Sequence, residues 1–458
     1  MQGEKRNLGS FNIYSLGVGG AIGSGIFVMM GLGIAYTGHS VFLAVSIGCL
    51  YMLLAYLFHP IMSSMLVLPG GDYDMKAMLF GPTLTGISAY FTFFNGFAMS
   101  MYGLAIVEYA QLVFPRIHPY TKPIAILIIT LFFAATIRGS KFVSILSSIM
   151  TIVLLLSIGI FIVAGLPKIE SGFFNKKSFF LNGTAGFIQA ISIMSFACQG
   201  TTMAPVSMME VTKRPRRTIP IAIVFITITV GTVYGLMGVV ASGVLPVDLV
   251  AGQSLAVVAQ EIFPHGLYVI FILGGAVFAI ATSLISGIAM LRYPCQQVAE
   301  DGWLPAFFKR TTKNGYPLAT QLFFWIIAIL PIIFDFSLDS IVSLVMIPTM
   351  LMNAYLNFSL ISFVKKYPEQ WRSSVFYMPT TLFNALSVIG TICALIVSYN
   401  LFITLSPGEQ VLCIGTVVVC VLLALLRLKS GAVKKTDLIK KRSDIAKRAL
   451  AATAEECE

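Results

Sequence analysis

The chain has 458 residues, 57% of them hydrophobic and 11% charged, and its mean hydropathy is +0.89. That balance lies far outside the range of a water-soluble globular domain, so the sequence reads as a polytopic membrane protein. A transmembrane β-barrel is excluded, because runs of about 10 residues alternating polar and apolar are absent.

A helix needs about 20 apolar residues to cross a bilayer, and twelve stretches of that kind follow one another: 11–36, 40–66, 83–114, 121–137, 141–166, 184–208, 218–245, 265–293, 317–335, 339–364, 376–404 and 408–427. They are called segments one to twelve. Segment one follows Lys5 and Arg6, is too long for a signal-peptide core and lacks a small-residue cleavage pattern, so it is expected to be a retained span with the N-terminus in the cytoplasm. Its centre reads GAIGSGIF at residues 20–27. Each glycine weakens a helix by about 1 kcal/mol relative to alanine, and backbone left unpaired at that depth costs several kcal/mol per group. Either the glycines let a neighbouring helix approach, or the helix is broken for a purpose.

Segment three carries Glu108, the one carboxylate of 19 that lies away from loops, tails and segment ends; seven residues before Pro115, it sits towards the outer end. Segment six is interrupted by SFACQGTTMAP at 195–205. Segments one and six stand five apart, as expected if segments one to five and six to ten are two inverted copies. Matched interruptions of this kind point to a transporter site near the midplane. With no fixed charge at that depth, such a site suits a zwitterion held by free amides and carbonyls at helix ends.

The loops set the orientation. Twenty-five of the 30 Lys and Arg residues fall in one alternating set of loops and tails, and five, Arg116, Lys122, Lys168, Lys176 and Lys177, in the other. The rich set is expected to be cytoplasmic, with both termini on that side, in a cell (plasma or inner) membrane. The same bias explains the net charge of +11 without a nucleic-acid partner, and it assigns KRPRR at 213–217 to an inner loop rather than to a nuclear signal. The basic tail beyond Arg427 is expected to be a topology anchor and solvated helix, with contact to anionic lipid as the alternative. The seven cysteines show no CxxC and no pair in an outer loop, and the four histidines show no ligand spacing, so neither a disulfide nor a zinc site is expected. No HExxH, paired intramembrane carboxylates or Ser/His/Asp spacing supports an enzyme. The organisation expected is one transmembrane domain, 1–428, and a short cytoplasmic tail, 429–458.

Four motifs then resemble those of the amino acid–polyamine–organocation (APC) superfamily of transporters: GSGIF at 23–27, PGGDYDMKAMLFGP at 69–82, EVTKRPRRTIPIAI at 210–223 and AEDGWLPAFF at 299–308. They stand in the family's order and cover segments one to nine. The resemblance implies an all-α integral membrane protein of twelve transmembrane helices, built as a 5+5 inverted repeat (the LeuT fold) with two further C-terminal helices.

On matching positions, the resemblance implies that the Ala21 and Ile22 carbonyls, the Ser24 hydroxyl and the Gly25 amide line the substrate site, with Ser24 and Gly25 facing the substrate carboxylate. The Phe196, Ala197 and Gln199 carbonyls would face the ammonium, with the Phe196 ring as a lid. Many relatives carry an acidic residue in place of Gln199. Tyr102 is a further pocket candidate, with interfacial or packing tyrosine as its alternative.

AIATS at 279–283 is similar to the sodium site of the sodium-coupled branch, where Ala279, Thr282 and Ser283 would join the Gly19 and Ile22 carbonyls. Five oxygens suit a hard cation; the alternative is that both hydroxyls bond back to their own helix. The position where proton-coupled or sodium-independent relatives often carry a lysine falls at or near Met150, and no lysine stands between Phe142 and Gly165. The function expected is sodium-coupled symport of a small neutral amino acid by alternating access, and the alternative is proton-coupled symport or exchange of amino acids or a related amine. No cofactor is expected beyond the coupling ion, and no partner subunit is identifiable.

Overall fold

The computed structural model describes residues 8–457 except 69, 138–139, 175, 210–211 and 313–315. Lys5, Arg6, Pro69, Arg138, Glu210, Val211 and Lys313, which belong to the motifs and charge pattern above, lie outside the described residues.

Each of the twelve apolar segments is helical, and the described residues contain no strand beyond an isolated bridge between Leu8 and Thr212. Among the described residues, ten helices are long and apolar enough to cross a membrane, while Leu318–Ile333, segment nine, is shorter at 16 residues. Segment one consists of two helices, Ser10–Ala21 and Ser24–Thr37, of 12 and 14 residues.

Local chemistry sets many of the boundaries. Gly38, with φ of 70°, turns the chain out of segment one into a conformation that side chains rarely adopt. Pro82 and Pro215 stand in the first turn of segments three and seven, where the missing N–H costs nothing. Segment twelve starts with a capping box, in which Ser406 and Glu409 satisfy each other's backbone N–H groups.

Lipid is as apolar as leucine, so these helices associate by close packing and polar contacts rather than by the hydrophobic effect. Segment seven shows this: a Cβ added at Gly235 would lie 2.6 Å from Ser46 Oγ, and one at Gly238 3.0 Å from Phe42 Cα. Its small face therefore receives segment two. Segment two bends after Ala55, and the bend is held from segment ten, where Asn357 donates to the Leu54 and Ala55 carbonyls (3.1 and 3.0 Å) and accepts from Phe58 N–H (3.1 Å).

Both described chain ends lie on one face. Lys213 N–H donates to the Leu8 carbonyl at 2.8 Å. The tail forms a helix, Lys435–Cys457, and it is docked rather than solvated, which corrects the expectation from its charge. Ile445, Ala449 and Thr453 are buried; Thr453 Oγ1 accepts from Val67 N–H at 3.0 Å; and Lys441 pairs with Asp301 at 2.5 Å while also donating to Tyr73 and Gln297. Every third or fourth residue of the tail is small or apolar, so charge alone concealed a buried stripe.

One pairing was not expected. Cys49 of segment two and Cys198 of segment six form a disulfide, with Cα atoms 5.0 Å apart. The partners are 149 residues apart in sequence and meet only because segments two and six pack together, which neither CxxC spacing nor loop position could reveal.

Candidate functional site

The break in segment one is a true interruption. Ile22 has φ −78° and ψ 104°, an extended backbone, and the second helix begins at Ser24. The polar backbone this releases is met by Tyr234 of segment seven, whose hydroxyl donates to the Ala21 carbonyl at 3.0 Å and accepts from Gly23 N–H at 3.4 Å. One phenol thus spans the gap and supplies partners that a membrane interior would deny.

Segment six breaks differently. Helix Gly183–Met194 tightens into a 3₁₀ turn at Ser195–Cys198 and resumes as Gly200–Ser207. Gln199 N–H bonds the Phe196 carbonyl at 3.3 Å, and Thr201 Oγ1 donates to the Cys198 carbonyl at 2.9 Å. The chain keeps helical dihedrals here, so the turn re-aims carbonyls without leaving a gap.

The two breaks touch. A Cβ on Gly25 would lie 2.5 Å from Ala197 Cα, and one on Gly23 2.2 Å from Ser283 Oγ in segment eight. Only glycine permits approaches this close. Segment eight enters through a π-helical turn, Phe271–Val277, before the helix Phe278–Glu300, a distortion frequent at functional sites.

Between these elements lies a cavity of about 200 Å³. Of the residues expected at a substrate or ion site, Ala21, Gly25, Tyr102, Phe196, Ala197, Gln199 and Ser283 all line it. Ile22 is buried in the core, Ala279 is fully buried and Thr282 nearly so. Gly19 abuts the Thr151 methyl of segment five. The Ser24 side chain lies outside the described residues. Thr282 Oγ1 and Ser283 Oγ both donate to the Ala279 carbonyl, at 2.8 and 3.2 Å. Met150 is buried, one residue from Thr151.

The cavity runs from the breaks towards the face that carries the chain ends, where Lys76 is the one charged side chain among the described lining residues. Lys76 is paired with Asp72 at 2.7 Å, and Asp72 also meets His59 Nε2 at 2.9 Å. Burial pushes the Asp72 carboxyl up, but the Lys76 ammonium and the His59 hydrogen bond overcome this and hold it well below the usual carboxylate range. His59, fully buried, bridges on to Thr202 Oγ1 at 3.0 Å, tying segment six to this loop. On the other side of the break, Tyr109 donates to the Phe27 carbonyl at 2.8 Å and Gly252 N–H to the Gly31 carbonyl at 2.8 Å, tying the second helix of segment one to segment three and to the loop after segment seven.

Sequence reasoning missed Tyr234, Tyr56 and Asn353. A tyrosine in an apolar helix gives no signal of its own. Asn353 and Asn357, four residues apart in an otherwise apolar segment ten, were a signal, since polar groups at that depth are expensive and mark function or packing.

A family model described as amino acid permease matches residues 8–425. The chain belongs to the amino acid permease family, within the APC superfamily. It is 26% identical over 337 residues to the D-serine/D-alanine/glycine transporter of Escherichia coli (strain K12), covering 69% of this chain and 70% of that protein. It is 26% identical over 392 residues to the branched-chain amino acid permease BcaP of Bacillus subtilis (strain 168), covering 80% and 82%. Cationic amino acid transporter 7, chloroplastic, of Arabidopsis thaliana is 26% identical over 375 residues, covering 76% of this chain and 63% of the relative. These three relatives are named for three different substrate classes, so family membership supports amino acid transport and leaves the choice of side chain to the permease's own pocket.

Proposed function

We propose that this permease is a secondary active transporter of small neutral amino acids, working by alternating access around the cavity between the breaks of segments one and six. The observation that carries this reading is the meeting of the two breaks at Gly25 and Ala197 on the wall of one cavity. Breaks in segments one and six speak for a 5+5 inverted repeat, with segments eleven and twelve appended. The Gly25 amide and the carbonyls of the 3₁₀ turn suit a zwitterion, and the absence of any carboxylate among the described lining residues speaks against a cationic side chain. The excess of Lys and Arg on the loops of the chain-end face speaks for that face being cytoplasmic, in a cell membrane.

In this reading the Ala21 carbonyl, already engaged by Tyr234, shapes the break rather than binding substrate, while Ser24 and Gly25 take the carboxylate and Phe196 covers it. Sodium is the coupling ion, held by oxygens of Gly19, Ile22, Ala279, Thr282 and Ser283. The close approach of Gly23 to Ser283 supports this, since it brings the break of segment one against the segment-eight oxygens. A second reading, proton coupling or exchange, is favoured by the turning of both hydroxyls back onto Ala279. Uptake of labelled amino acids into proteoliposomes, under sodium and pH gradients imposed separately, tests both. Uptake driven by the sodium gradient alone is expected; uptake driven only by pH or by counter-substrate establishes the second reading, and no uptake of any amino acid overturns both.

A further inference from the structure

Two asparagines one helical turn apart in segment ten have opposite fates. Asn357 spends its amide on the bend of segment two, with three hydrogen bonds. Asn353 is equally buried, at 0% exposure, yet neither its Nδ2 nor its Oδ1 has a hydrogen-bond partner. Buried carboxamides are almost always paired, because an unpaired one forfeits its hydration with nothing in return. Gln321 of segment nine is likewise buried and unpartnered, but it does not line the cavity. Asn353 does, on the wall that also holds Gln199 and Tyr56.

Gln199 Nε2 donates to the Tyr56 hydroxyl at 2.7 Å, and Asn353 lies beside the same hydroxyl without forming a bond to it in hydrogen-bond geometry. Three polar groups from segments two, six and ten therefore gather at one spot. Elsewhere the wall mixes apolar side chains such as Met99, Leu291 and Val345 with polar ones, Ser88, Thr92, Asn95, Ser286 and Thr349 among them; of all these polar side chains, Asn353 alone has buried amide atoms without a partner among the described residues. The spot lies within one turn of Phe196, on the break expected to hold the substrate ammonium.

We propose that Asn353, supported by Gln199 and Tyr56, is a side-chain specificity subsite that selects amino acids ending in a group that both donates and accepts a hydrogen bond, a hydroxyl or a carboxamide. The inference rests on the amino acid transport proposed above and narrows its substrate class. An amide whose donor and acceptor both lack a partner in full hydrogen-bond geometry is complemented by such a group and left unsatisfied by a methyl. A site built to bond a polar group discriminates strongly against the isostere that lacks it, because its own groups are then stranded.

The test uses isosteric pairs in competition for uptake or binding in proteoliposomes of the full-length protein: threonine against valine for the hydroxyl, asparagine against leucine for the carboxamide, with glycine as the substrate that has no side chain to read. The wild type is expected to prefer the polar member of at least one pair by about tenfold or more, the scale of one well-made hydrogen bond; which pair shows it distinguishes the two chemistries. Asn353→Leu, close in volume, is expected to bring that ratio to within about threefold of unity while glycine uptake persists. Asn353→Ala carries the same expectation if the leucine does not fit. A wild type that transports amino acids but prefers the apolar members, or variants that keep the wild-type ratio, overturns the subsite. A wild type that handles no amino acid, glycine included, overturns the transport reading itself.

Discussion

The middle of the permease and its chain-end face solve the same problem, polar groups that must be satisfied, by opposite means. At the midplane the polar groups are backbone, released by two breaks and met by few side chains: Tyr234 bridges Ala21 and Gly23, and the turn at Ser195–Cys198 satisfies much of itself. On the chain-end face they are charges, Lys76 with Asp72 and Lys441 with Asp301, knit across loops and tail. Backbone dipoles at the centre suit a net-neutral solute without a permanent buried charge, whereas the charges at the edge are held in partly buried pairs that keep some contact with water. Variants at the centre are therefore expected to change transport, and variants at the edge mainly stability.

The largest effect is expected from Gly25→Val. Even a Cβ would meet Ala197 Cα at 2.5 Å, and the obstacle is backbone, which cannot rotate away. Because a misplacement of about 1 Å at a working site can cost ~100-fold, uptake is expected to fall by about that factor or more with the protein still in the membrane. Near-normal uptake in this variant would show that the two breaks do not work together.

Thr282→Ala and Ser283→Ala come next. Each removes a hydroxyl from the oxygen cluster of segment eight, and the double variant is expected to raise the sodium concentration for half-maximal uptake by roughly tenfold to a hundredfold, from one or two lost ligands at about 1.4 kcal/mol each. Unchanged sodium dependence would leave the hydroxyls as caps on Ala279 and favour proton coupling or exchange. Tyr234→Phe is milder. It keeps the ring and removes the hydroxyl, stranding the Ala21 carbonyl and Gly23 N–H, and substrate affinity is expected to weaken by about tenfold; an unchanged affinity would mean the break holds its shape without the bridge.

The same contrast explains what could be read from sequence. The helices, their order and the place of both breaks were legible, because apolar length and clustered glycine or polar residues are local signals. Of the expected site residues, Gly25, Phe196, Ala197 and Gln199 do line one cavity. Tyr234 was not legible, because its role exists only where segment seven crosses segment one. Nor was the docking of Lys435–Cys457: a composition rich in lysine and arginine describes its outer side, while Ile445, Ala449 and Thr453, spaced four apart, form the buried stripe.

The smallest expected effect tests that edge. Lys441 is about a quarter exposed and Asp301 nearly buried, so the pair is only partly screened, and Tyr73 and Gln297 share the ammonium. Lys441→Ala removes the pair but leaves the apolar stripe and the Thr453 bond to Val67. A loss of about 1 kcal/mol, at the upper end for ion pairs near a surface, is expected, read as a lower thermal midpoint in detergent with substrate affinity within about twofold of wild type. High salt is expected to shrink the difference between wild type and variant, since screening weakens the same contact. If instead Lys441→Ala changed affinity or selectivity as strongly as Tyr234→Phe, the edge and the centre would be one coupled unit, with the tail helix acting through Asp301 and segment eight on the cavity wall at Ser283.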